Sequence, residues 1–188
     1  MANTINATSG VGIVSTADNT NELILQTNGT NAVSIDSSQN VSFAQTLALG
    51  VSNTLMELTL SAAAETVTIA ATAATGTVNF DVSTQSILYY TSNASANWTL
   101  NIRGSSSTTL NSIMATGQSV TVTHLVTQGG TAYYNSAVTV DGTSVTPKWS
   151  GGSAPSAGNT NSVDVYTYTL IKTGSGSFTV FASQTRYA

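Results

Sequence analysis

The 188-residue chain has no cysteine, one histidine, two prolines, four lysines and arginines together, and eight aspartates and glutamates. Without cysteine there is no disulfide scaffold, thiolate zinc site, iron–sulfur cluster or cysteine nucleophile. A single histidine excludes a histidine-rich metal centre within one chain. Charged residues make up 6% of the sequence, against roughly 25% in an average soluble protein. The net charge of −4 and a pI near 4.5 leave no cationic surface to neutralise phosphates, so no nucleic-acid partner is expected. Long hydrophobic runs are missing too. The longest apolar stretches fall far short of the ~20 residues of a membrane span, and no membrane insertion is expected. Met1 through Gly10 carries neither a basic flank nor an apolar centre, so it does not read as a secretory signal. Disorder goes with low hydrophobicity and high net charge, whereas 40% of this chain is hydrophobic and its mean hydropathy is +0.11.

What the chain has is a period of two. Thr66-Val67-Thr68-Ile69-Ala70, Val78-Asn79-Phe80-Asp81-Val82 and Trp98-Thr99-Leu100-Asn101-Ile102 alternate. So do Val120-Thr121-Val122-Thr123, Val138-Thr139-Val140-Asp141, Val163 to Tyr168, and Phe178-Thr179-Val180-Phe181. Successive side chains of a strand point to opposite faces, so each run is expected to bury one face and wet the other. Ser, Thr and Asn supply about two-fifths of the chain, and threonine on the wet face is β-branched and suits the pleat. Turn formers separate the runs at Asn28-Gly29, Gly129-Gly130, Asp141-Gly142 and Gly174-Ser175-Gly176. Helical signals are confined to two connectors, 61–65 and 110–114, each one turn long. The fold class is all-β.

Residues 1–52 differ from the rest. Apolar couples recur at Leu23/Leu25, Val33/Ile35 and Val41/Phe43, separated by polar turns. Strands this short offer too few apolar side chains to enclose a core alone. They must stack along the chain, stack around an axis with other copies, or lie as an irregular meander on the main domain. Three or four units favour stacking between chains, with those six residues as inter-subunit contacts. Residues 53–188, with roughly ten strand candidates from Leu55 on, are expected to form a β-sandwich, jelly-roll-like head. A long loop at 143–162 interrupts it and holds Lys148 and Trp149.

Candidate chemistry is sparse. His124 shares the parity of Val120, Val122 and Val126, which points to a core or interface histidine rather than a general base. Near an axis it could sense pH. Asp18, Glu22, Asp36, Glu57, Glu65, Asp81, Asp141 and Asp164 are scattered, with nothing to pair two of them for glycosidase chemistry. There is no phosphate-binding glycine loop. Asp36-Ser37-Ser38-Gln39-Asn40 faintly resembles a calcium loop but has one carboxylate where hard cations prefer several, so a polar turn is expected. No cofactor, metal or catalytic residue is expected, and the chain does not read as an enzyme. Most aromatics (Tyr89, Tyr90, Trp98, Tyr133, Tyr134, Tyr166, Tyr168) read as strand residues. Trp149, in its Gly/Ser loop beside Lys148, is the candidate surface or ligand contact.

The segment from Leu23 to Val41 resembles the short repeats of bacteriophage tail fibres and related phage structural proteins, particularly of marine and cyanobacterial hosts. The run from Trp149 to Tyr166 resembles the ends of such proteins. The resemblance implies a homotrimeric, non-enzymatic virion component, made in the host cytoplasm, with a β-structured stalk or attachment segment and a β-sandwich head. Its partners would be its own copies, other tail or capsid proteins and a bacterial surface glycan. Tail fibres are commonly much longer than this chain, so a capsid decoration protein is the alternative expectation. A bacterial carbohydrate-binding or adhesin module also fits the composition. It predicts a secretion signal, which a start at Met1-Ala2 does not offer.

Overall fold

The computed structural model describes residues 23–27, 30–44 and 62–188. It divides into two units, Met1–Ser61 and Ala62–Ala188. The expected boundary at 52/53, the Asn28-Gly29 turn, Asp18, Glu22 and Glu57 lie outside the described residues.

In the first unit, β1 (Leu23–Thr27), β2 (Thr30–Ile35) and β3 (Val41–Phe43) form an antiparallel meander. The β2–β3 turn is closed by Asp36, whose carboxylate accepts from the Asn40 side-chain amide at 3.0 Å and from the backbone N–H groups of Asn40 and Ser38 at 2.9 Å. These bonds, the Asn40 amide first, hold the carboxyl below its ordinary value. The calcium-like segment is therefore a polar turn whose one carboxylate is engaged by its own backbone.

The second unit contains β4 (Val67–Ala73), β5 (Gly76–Asp81), β6 (Ile87–Ser92), β7 (Trp98–Arg103), α1 (Leu110–Ile113), β8 (Ser119–Thr127), β9 (Asn135–Val140), β10 (Thr143–Val145), β11 (Lys148–Trp149), β12 (Val163–Gly174) and β13 (Ser177–Tyr187). The chain is all-β, and these ten strands lie in a six-stranded sheet, β11-β13-β12-β8-β6-β4, and a four-stranded sheet, β10-β9-β7-β5. Both sheets contribute to one core, with Val78, Phe80, Leu100, Ile102, Val138 and Val140 from the smaller and Leu88, Val122, Val126, Tyr166, Tyr168 and Leu170 from the larger.

Strand direction departs from the jelly-roll expectation. Jelly rolls are antiparallel Greek keys, but here β4, β6 and β8 run parallel in one sheet and β5, β7 and β9 run parallel in the other. Parallel neighbours need a long crossover, and each crossover here is a strand of the opposite sheet. The chain thus winds three times, laying one strand per turn in each layer. Antiparallel pairing enters only at the end, where β10 folds back on β9 and the β12–β13 hairpin joins β8.

The winding has a sequence signature. Thr77-Val78-Asn79-Phe80-Asp81 and Thr99-Leu100-Asn101-Ile102-Arg103 lie side by side, residue for residue, across a spacing of 22. Val78 and Phe80 stack inward on Leu100 and Ile102. On the other face the Asn101 amide donates to Asn79 Oδ1 at 2.9 Å, and Thr139 Oγ1 donates to Asn101 Oδ1 at 2.8 Å. Arg103 Nε meets Asp81 Oδ1 at 2.6 Å. Like residues stacked in register therefore supply core rows on one face and a polar ladder on the other.

The β9–β10 hairpin turns at Asp141-Gly142 with φ of +51° and +80°, the left-handed pair that a two-residue primed turn requires. The Asp141 carboxylate also accepts from the backbone N–H groups of Leu110 and Asn111 at 2.7 and 2.9 Å. At the other end of α1, Lys172 Nζ donates to the carbonyls of Asn111 and Met114 at 2.5 and 2.7 Å. A four-residue helix does not persist alone. This one is held by an acid at its amide end and a cation at its carbonyl end.

The first alternating run does not bury a face as expected. Val67 and Ile69 on β4 are exposed, Ile69 to 68%. Within the described residues β4 is an edge strand with β6 as its sheet neighbour, so side chains of both parities stay open.

Candidate functional site

The six apolar residues singled out in the N-terminal repeat come together on one surface. Leu23 pairs with Ile35 and Ile35 with Val41; Leu25 pairs with Val33 and Val33 with Phe43. Directly paired residues share a face, so the six form two cross-strand rows of three. The other face carries the row Ile24, Ser34, Ser42. Ordinary packing would enclose the apolar rows, yet Leu23, Leu25, Val41 and Phe43 are 46, 54, 55 and 44% exposed, and Val33 and Ile35 are half-buried. The repeat spacing therefore places these six apolar side chains on one face, with Ile24 on the other, and among the described residues four of the six stay largely uncovered.

Lys148 and Trp149 lie in the second unit, and their placement differs in one respect from a free loop. They form a two-residue edge strand that pairs in parallel with Phe181 and Ala182. Alternation then sends the two side chains opposite ways. Trp149 packs edge-on against Tyr166 and Tyr168, with ring centroids 6.5 and 6.0 Å apart, and stays half-buried. Lys148 is exposed, its Nζ 5.6 Å from the centre of the Phe181 ring. Both line a groove with a cavity volume of about 630 Å³. The wall opposite them comes from β9, β10 and the Thr146 that follows, with hydroxyls from Ser136, Ser144 and Thr146, and Pro147 and Pro155 also line it. The Asn135 amide is buried and committed to Trp98, Ala137 and Tyr168.

One side of this groove depends on a buried carboxylate that the sequence did not single out. Asp164, fully buried on β12, accepts from the backbone N–H of Asn159 at 3.0 Å, from the Asn159 side-chain amide at 2.5 Å and from Gln128 Nε2 at 3.1 Å. Gln128 in turn donates to the Tyr133 carbonyl and accepts from the Tyr133 N–H. These bonds fasten the 150–162 segment, whose Gly152, Ala154 and Pro155 face the groove. Gly158 lies in the same knot: a Cβ there would be driven into the Tyr133 carbonyl oxygen and sit 3.0 Å from Asp164 Oδ2. Gly158→Ala is therefore expected to cost about 1–3 kcal/mol in urea unfolding. A variant as stable as wild type would mean that the segment is free to move away.

His124 is fully buried, as its parity suggested. Tyr90 and Trp98 meet it edge to face at 5.6 and 5.7 Å, Tyr166 lies 6.4 Å away, and among the described residues neither ring nitrogen has a hydrogen-bond partner. The Trp98 indole N–H is likewise buried without a partner. Desolvation lowers the His124 pKa to about 3 and raises those of Tyr90, Tyr166 and Tyr168. A neutral imidazole sealed among rings reaches no substrate. The described aspartates are occupied one by one: Asp36 in its turn, Asp81 with Arg103, Asp141 on α1 and Asp164 on Asn159. Among the described residues no three His, Cys, Asp or Glu side chains converge, and no helix is long and apolar enough to cross a membrane.

The chain matches no protein-family model, no curated protein and no solved structure.

Proposed function

We propose that the protein is a non-enzymatic structural component of a phage virion, a homotrimeric fibre or tail-associated protein whose globular unit meets the host surface. The observation that carries this reading is the apolar face of the N-terminal sheet, largely uncovered among the described residues. Six large side chains in two rows need a cover, and their rows are uncharged, so an identical face is a fitting partner. Three copies around an axis would turn each face into one wall of a shared interior, with the row Ile24, Ser34, Ser42 outside. Burial between chains contributes ~25 cal/mol per Å² of apolar area and gives a particle outside the cell the slow unfolding it needs. The globular unit then supplies a groove with an aromatic wall and hydroxyl-bearing sides. The engagement of each described aspartate and the sealing of His124 fit a binding role better than catalysis.

Light scattering on the full chain tests the assembly. The expected mass is three times 19.2 kDa, and Leu25→Asp with Phe43→Asp is expected to reduce it to the monomer, because two carboxylates per copy would have to enter the shared interior. A stable monomer at micromolar concentration in the unaltered protein would contradict the reading. Labelled protein located on intact particles separates the two positions, the tail for a fibre and capsid faces or vertices for a decoration protein.

A further inference from the structure

We infer that the groove between β9–β10 and β11 binds a carboxylate-bearing saccharide of the hexuronic-acid type, with a sugar face against Trp149 and the sugar carboxylate at Lys148. This rests on the attachment reading above and names the ligand class of its globular unit. The argument is one of charge in a chain that has almost none. Of the four cationic side chains, Arg103 is paired with Asp81 and Lys172 is spent on the carbonyls of α1. Arg186 is exposed near the end of β13, away from the groove lining. Lys148 sits on the edge strand that borders the groove, its ammonium over the exposed Phe181 ring just outside the lining, and among the described residues it meets no carboxylate. No aspartate or glutamate lines the groove beside it.

The remaining lining suits a sugar. Trp149 offers an apolar ring held in place by Tyr166 and Tyr168, Ser144 and Thr146 offer hydroxyls that can both donate and accept, as a polyol requires, and the Ser136 hydroxyl, which donates to the Trp98 carbonyl, can still accept. An extended peptide is a poorer fit, because strand addition draws on a run of free backbone groups and the flanking strands β10 and β11 are three and two residues long. The ammonium rests over an exposed ring on a flexible four-carbon stem, from which a carboxylate at the rim can draw it.

The test is a titration of the full chain with tetragalacturonate and with the same tetrasaccharide methyl-esterified on every carboxyl, read by amide NMR shifts and tryptophan fluorescence. The free acid is expected to bind at least tenfold more tightly than the ester and to weaken as salt rises. Lys148→Gln, at an exposed position, is expected to erase the difference between the two sugars, and Trp149→Leu to weaken both. Urea unfolding of each variant shows that the fold is kept. Equal binding of ester and acid by the wild type would overturn the inference, as would shifts that spare β9 to β11. Light scattering on the same sample separates this inference from the assembly reading. A trimer that binds neither sugar overturns the ligand class alone, and a monomer that discriminates acid from ester overturns the assembly alone.

Discussion

Between pH 7 and pH 4 the globular unit is expected to lose about 3 kcal/mol of stability through His124 alone. The unfolded-chain histidine titrates near its ordinary value of 6.5, whereas burial among Tyr90, Trp98 and Tyr166 brings the folded value to about 3. Well above pH 6.5 both states are neutral and the group is silent. As the pH falls from 6.5 toward 3 the unfolded chain takes up a proton that the folded chain refuses. Unfolding therefore gains about 1.4 kcal/mol per pH unit, levelling near 5 kcal/mol below pH 3. The ring neighbours do not offset this, because Tyr90 and Tyr166 are held neutral by their own raised values and Trp98 does not titrate. On the same face of β12 the nearest carboxylate is Asp164, which is committed to Asn159 and Gln128. His124→Leu separates this contribution from general acid effects. At pH 7 it should lie within about 1 kcal/mol of wild type, since relief of two unpartnered buried nitrogens is worth about 1–3 kcal/mol and lost ring-edge contacts take back about 0.5–1.5 kcal/mol each. Urea midpoints followed by tryptophan fluorescence at pH 7, 6, 5 and 4 should converge on a shallow slope in the variant and a steep one in wild type. Equal slopes would mean that the folded core accepts the proton.

The alternating runs were legible in the sequence because burial on one face of a strand leaves a mark with period two, and the positions of β5, β7, β8, β9, β12 and β13 follow it. The parity of His124 was legible for the same reason, and so was the shared face of Leu23, Leu25, Val33, Ile35, Val41 and Phe43. Strand direction was not, because alternation is the same whichever way a neighbour runs. The sign of parallel winding lay elsewhere, in the 22-residue echo of Thr77–Asp81 in Thr99–Arg103. The insertion around α1 hides its third copy at Ala137–Asp141, since it lengthens that turn of the winding. The exposed state of β4 was likewise hidden, because a strand's place at the edge of a sheet is set by its neighbours and not by its own residues. Lys148 and Trp149 stood out as unusual residue types in a Gly/Ser segment. The opposite wall, Asn135 to Val138 and Ser144, reads as ordinary strand, and only the return of β10 onto β9 brings it across the groove.

Asp164→Ala is expected to be the most damaging single substitution in this unit, at about 3 kcal/mol or more. A buried charge without a cation is tolerated only when donors surround it. Here two groups of Asn159 and one of Gln128 do so. Hydrogen bonds to a charged group contribute about 1.5–3 kcal/mol each, part of which offsets the cost of taking the carboxylate out of water. Alanine removes the acceptor and leaves Asn159 N–H and amide facing a void, while Gln128 keeps its Tyr133 carbonyl. Asp164→Asn keeps the shape but turns an NH₂ toward a donor, so an intermediate loss of about 1–2 kcal/mol is expected. The consequence extends beyond stability. The 150–162 segment carries Gly152, Ala154 and Pro155 of the groove rim, and with its fastening gone hydrogen exchange there should quicken before global unfolding. Saccharide affinity should fall in Asp164→Ala although residue 164 touches no ligand. Urea unfolding ranks the variants and exchange at Asn159 to Ser162 locates the opening. An alanine variant within 1 kcal/mol of wild type, with that segment still protected, would show that the segment is held by its other contacts and that the carboxylate is only a passenger in the core.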